Sequence, residues 1–119
     1  MSSIYVSKIF QLVIIMKDKY LLLAAIEDYG FYTSTQRKLL KALVNIEMYN
    51  TVKAPVLELS RISNMSKASV YRCIDLFKKD GLLELSNKST AKLNEFTLNP
   101  EKLEDIKDSY LKKHSLLNK

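Results

Sequence analysis

The chain has 119 residues, 47% of them hydrophobic and 27% charged, enough for one ordinary domain and too evenly mixed for long disorder or low-complexity architecture. Lysine and arginine total 19 against 13 acidic residues, a net charge of +6, which points to a polyanionic partner or an anionic surface. Two glycines and two prolines are too few for a β-sandwich of many tight turns, and the one cysteine, Cys73, excludes an intramolecular disulfide and fits a reducing compartment.

Residues 4–30 read as helical, in one piece or broken near residues 17–19, and end at Gly30, a residue suited to a left-handed cap. The first stretch is β-branched enough that a strand is the alternative. Lys17, Asp18 and Lys19 separate the apolar runs 12–16 and 20–26, so neither approaches the roughly 20 residues of a membrane-spanning helix. Nor is a signal peptide expected, without a basic start or a small-residue cleavage site. Both runs are expected to be buried, in this domain or against a second copy.

Thr33 and Gln36 then form a capping-box pattern, followed by Leu39, Leu40, Leu43, Val44 and Ile46 at helical spacing through about Tyr49. Residues 51–54 are an extended link, because Ala54 precedes a proline. Pro55 opens a helix at its first turn, running to about Ser63 with Val56, Leu59 and Ile62 on one side. Asn64 takes a turn position that favours positive φ. Ser66 caps a helix over Lys67–Lys79 whose apolar face is Val70, Ile74 and Phe77 with Cys73 beside them, and Gly81 ends it. Residues 82–85 and 92–98 read as two short strands around a polar turn, with Asn94, Phe96 and Leu98 on one face and Leu93, Glu95 and Thr97 on the other. A last helix starts at Asn99-Pro100-Glu101 and carries the stripe Leu103, Ile106, Tyr110.

Catalytic chemistry is sparsely provided for. His114 is the one histidine, no second cysteine accompanies Cys73, and Gly30 and Gly81 alone cannot build a glycine-rich phosphate loop. No enzyme is expected, and no catalytic residue, metal ligand or cofactor is assigned.

The order of helix, extended link, helix, tight turn, helix and hairpin specifies a mainly α fold with a small β-hairpin wing, a winged helix-turn-helix with flanking N- and C-terminal helices. The run LSRISNMSKASVYRCIDLFKKDGLL, residues 59–83, resembles the LA-x-x-x-G-x-S-x-x-T-V-x-R-x-I-x-x-L-x-x-x-G-L-I pattern of bacterial and archaeal winged-helix regulators. Asn64 stands where that pattern usually has glycine, Ser60 where a small residue lets two helices cross, and Met65 and Val70 fill the space between them. Residues 31–43 are similar to the preceding helix of MarR-like transcriptional regulators. The polar turn 86–92 lacks the acidic-x-Arg feature usual in that family's wing. The chain divides accordingly into an apolar arm or helix (1–32), serving dimerisation or covering the core, a winged helix-turn-helix (33–99) and a C-terminal helix (100–119).

The resemblance implies that the helix Lys67–Lys79 enters the DNA major groove, its first residues nearest the base edges. Ser66, Lys67, Ala68, Ser69, Tyr71 and Arg72 are then the contact residues, with Lys88 and Lys92 placing charge on the wing. Arg72 suits a guanine, whose O6 and N7 match its fork. Ser66, Ser69 and the free N–H groups of the first turn suit a phosphate, Lys67 a phosphate or a base, and Tyr71 a phosphate or a thymine methyl. Residues 61–79 hold Arg61, Lys67, Arg72, Lys78 and Lys79 against Asp75, a net +4 of the chain's +6. Ile9, Leu12, Leu103, Ile106 and Tyr110 are apolar beyond what so small a core needs and are expected to form a homodimer contact. The implied function is a cytoplasmic, sequence-specific, double-stranded DNA-binding transcriptional regulator, homodimeric on a pseudo-palindromic site, with no membrane partner and no effector identified. The alternatives are a plasmid or phage replication or partition protein, or a winged helix used for protein–protein contact.

Overall fold

The computed structural model describes residues 18–86, 88–89 and 93–117. Residues 18–27 are helical (α1). Then follow α2 (Ser34–Ile46), β1 (Thr51–Ala54), α3 (Val56–Ser63), α4 (Lys67–Lys79), β2 (Leu83–Leu85), β3 (Asn94–Leu98) and α5 (Pro100–Leu117). This is the mainly α winged helix-turn-helix that the order of elements specifies.

The helix starts are those the local chemistry dictates. Thr33 Oγ1 accepts from the Gln36 N–H at 3.2 Å while Gln36 Oε1 accepts from the Thr33 N–H at 2.9 Å, a complete capping box on α2. Ser66 caps α4 through the Ser69 N–H at 3.1 Å. Gly81, at φ 76°, closes α4, with the Leu82 N–H reaching back to the Phe77 carbonyl at 2.9 Å.

Several boundaries differ from the local reading. Gly30 has no positive φ. The chain leaves α1 through bonds from the Tyr29 N–H to the Ile26 carbonyl and from the Tyr32 N–H to the Tyr29 carbonyl, so no left-handed cap is needed. Arg37 reaches back to the Tyr32 carbonyl at 2.8 Å and holds this loop from outside it. Pro55 stands one residue before α3 as its N-cap instead of inside the first turn. Helix α2 stops at Ile46, short of Tyr49. Tyr49 and Asn50, at φ 53° and 65°, turn the chain so sharply that Met48 and Thr51 exchange hydrogen bonds of 2.8 and 2.9 Å; this is a two-residue hairpin turn of the primed kind.

That turn delivers residues 51–54 as a strand, not a mere link. The sheet is three-stranded and antiparallel in the order β1-β3-β2, with Val52 opposite Phe96 and Leu83 opposite Leu98. The expected alternation holds for Phe96 and Leu98, both buried in the core.

One core unites the flanking helices with the centre. Ala25 and Ile26 of α1 and Leu103 and Ile106 of α5 join Leu39, Leu40 and Leu43 of α2, Leu59 of α3, and Val70 and Phe77 of α4. Leu103 and Ile106, expected at a dimer contact, are only 8% and 1% exposed within the single protomer. Their apolar area is already removed from water by this chain's own core, so they offer no surface to a second copy in this arrangement. Tyr110 stays half-buried, its ring 4.2 Å from that of His114. Ile9 and Leu12 lie outside the described residues. Among the described residues, no helix is long and apolar enough to cross a membrane.

Candidate nucleic-acid interface

The turn between α3 and α4 sets the aim of α4. Asn64 sits in the left-handed region at φ 54° and ψ 50°, which asparagine adopts with less strain than other residues bearing a Cβ. The Met65 N–H returns to the Ser60 carbonyl at 3.1 Å, and the Ser60 hydroxyl donates to the Met65 carbonyl. Ser60 is thus more than a small residue at a helix crossing, because it bonds across the turn in both directions. Ser63, fully buried, spends its hydroxyl on the Leu59 carbonyl within α3.

With the turn fixed, α4 buries Val70, Cys73, Ile74 and Phe77 and leaves Lys67, Ala68, Tyr71 and Arg72 exposed, Tyr71 by 55%. Burial pushes the Cys73 thiol up from its ordinary range, the opposing pull of the Arg72 charge being smaller, so this sulfur is packing material. Along the exposed side, the Ser66 hydroxyl lies 3.0 Å from Ser69 Oγ, which in turn accepts from Arg72 Nη2 at 3.4 Å. The three residues form a ladder at three-residue spacing that leans the Arg72 fork toward the start of the helix. Capping occupies the Ser69 N–H, so the backbone donors left at this terminus are those of Lys67 and Ala68.

The charge is distributed differently from the simple tally. Arg61 is held by Glu58, with Nη2 to Oε1 at 2.5 Å and Nε to Oε2 at 3.1 Å. The Arg61 hydrogen bond lowers the Glu58 carboxyl below its usual range, and the guanidinium is raised in return. The pairing was legible as an acid three residues before a base on one helix, but Glu58 falls just outside the span 61–79. Lys67, Arg72, Lys78 and Lys79 remain, all exposed; among the described residues none of them is paired with a carboxylate.

On the wing, Lys88 is exposed and Lys92 lies outside the described residues. The alternation that put Glu95 on the outer face of β3 did not reveal that its side chain is nearly buried, at 7% exposure. Its carboxylate lies 3.4 Å from Lys53 Nζ on β1. Register alone brings these two together, Lys53 standing directly opposite Glu95, and a periodicity within one strand carries no trace of it.

No family model and no curated protein matches the chain. Solved structures do. A MarR-family transcription regulator superposes with a TM-score of 0.51 at 17% identity, over 97% of this chain and 78% of its own. A probable transcriptional regulator from Pseudomonas aeruginosa gives 0.53 at 20% identity, over 91% and 80%. BpsR of Bordetella bronchiseptica, whose DNA binding is regulated by 6-hydroxynicotinic acid, gives 0.51 at 18%, over 79% and 67%. At such identities the likeness is one of fold: the chain has the winged helix-turn-helix architecture seen in MarR-family and other winged-helix transcriptional regulators.

Proposed function

We propose that the protein is a sequence-specific double-stranded DNA-binding transcriptional regulator that acts as a homodimer on a pseudo-palindromic site. The observation that carries this reading is the outer face of α4. Lys67, Ala68, Tyr71 and Arg72 stand exposed at the start of a capped helix, aimed by a rigid turn, with basic groups that no carboxylate neutralises among the described residues. A helix so presented fits the major groove, its first residues at the base edges and its terminal N–H groups on a phosphate. Lys88 then meets the backbone or the adjacent minor groove, and the BpsR likeness agrees in kind.

Dimerisation places two copies of α4 roughly 34–36 Å apart, one helical turn of DNA. With Leu103 and Ile106 internal, the contact falls to the apolar groups that α1 and α5 still expose, Tyr20 and Leu111, together with Tyr110 and the segment containing Ile9 and Leu12. The cytoplasm is the compartment this function requires.

The test is fluorescence anisotropy on the DNA upstream of the protein's own gene, against a random duplex of equal length at two salt concentrations. A preference above about a thousandfold, with a two-fold symmetric footprint, is the expected result. Equal and steeply salt-dependent affinity for both duplexes, with no preferred site recovered by selection from random sequences, overturns it.

A further inference from the structure

We infer that Glu95 is the positioning residue of the wing, its side chain and backbone together holding Ser86, Lys88 and Ser89 so that Lys88 is presented in one fixed place. The inference rests on the DNA-binding reading only for what Lys88 meets.

A charged group on the outer face of a strand needs no burial, and its neighbour but one, Thr97, is exposed. Instead, Ser86 and Ser89 of the wing lie against Glu95. The Ser86 N–H donates to the Glu95 carbonyl at 2.7 Å. Ser89 Oγ accepts from the Glu95 N–H at 2.8 Å and donates to the Glu95 carbonyl at 3.2 Å. The Ser86 hydroxyl accepts from the Lys88 N–H at 3.1 Å and is the first cause holding the Glu95 carboxyl below its ordinary range. Ser86 therefore joins the Glu95 backbone, through its N–H, to the backbone of the wing's basic residue, through its hydroxyl.

Desolvating a carboxylate is costly unless charge and hydrogen bonds replace the water. Here Ser86 is the main support, burial opposes it, and Lys53 and Lys88 add to it, so the carboxyl stays below its ordinary range and ionised. An apolar residue in its place would pack without that cost but could not hold the turn. What the carboxylate contributes is geometry.

The test uses the full chain with Glu95→Ala, Glu95→Gln and Lys88→Ala. Amide hydrogen exchange is expected to accelerate at Ser86, Lys88, Ser89 and Glu95 in the alanine variant while α2 and α4 stay protected, which also shows that it folds. Glutamine, still able to accept from Ser86, is expected to restore most of that protection. On duplex DNA, Glu95→Ala and Lys88→Ala should each lower the slope of log affinity against log salt by about 1, and the double variant should lose no more than either single one. Unchanged exchange in the alanine variant, no rescue by glutamine, or additive losses on DNA overturns the inference. If the wild-type chain binds no duplex, the functional reading fails by itself, and the exchange experiment still decides whether Glu95 holds the wing.

Discussion

Tyr32 donates its hydroxyl to a carboxylate oxygen of Asp80, 48 residues further along the chain. Asp80 is the C-cap of α4 and also receives Lys102 of α5 at 3.3 Å, while the Tyr32 ring packs on Phe77 with centroids 5.4 Å apart. The loop before α2, the end of α4 and the start of α5 therefore meet at one carboxylate, which fixes the far end of the helix proposed to read DNA.

Tyr32→Phe should cost about 1–2 kcal/mol in chemical denaturation, the usual value of a hydrogen bond to a charged acceptor with part of it left to Lys102. Burial first, and then Asp80, raise the Tyr32 phenol above its ordinary 10.0. A raised pKa means that the folded state holds the proton more tightly. Its stabilisation is complete below pH 10 and is lost as the pH climbs from there toward the folded-state value. The wild-type chain should weaken over that alkaline range by an increment that Tyr32→Phe lacks; parallel pH profiles would show the bond to be inconsequential.

Asn64→Val should destabilise the chain by about 1–2 kcal/mol, because a β-branched residue is forced into the left-handed region. Asn64→Gly should remain close to wild type. Urea midpoints of the two variants check this, and an unaffected valine variant would mean the turn can be made another way.

Tyr49 is 95% exposed yet held at φ 53°, so its ring repays none of the backbone strain. Tyr49→Asn, which suits the first position of a primed turn, should raise stability by about 0.5–1 kcal/mol. A thermal melt decides it, and a loss of stability would show that the ring has a partner.

Arg72→Ala should cost about 1–3 kcal/mol on the specific site and relax the preference at one base position, while leaving non-specific affinity nearly unchanged. Binding selection from randomised duplexes reads both quantities. Undiminished specific affinity would remove Arg72 from the base-reading face of α4.

The sequence by itself determined much of what depends on a few neighbouring residues. The capping box at Thr33 and Gln36, the Ser66 cap, the left-handed Asn64, the glycine stop at Gly81 and the buried face of α4 all follow from chemistry acting over three or four positions, and together they specify the winged helix-turn-helix and its exposed basic helix. Tertiary structure decided what depends on distant partners. Strand β1 exists because β3, 40 or more residues later, satisfies its backbone groups. The carboxylate of Glu95 is buried where Lys53 falls opposite it and Ser86 and Ser89 bond to its backbone. Leu103 and Ile106 are buried in the core of the single protomer because α5 packs back beside α1 and α2. Local periodicity tells which face of an element is apolar; only the packed chain tells what that face meets, since burial and pairing are properties of two surfaces at once.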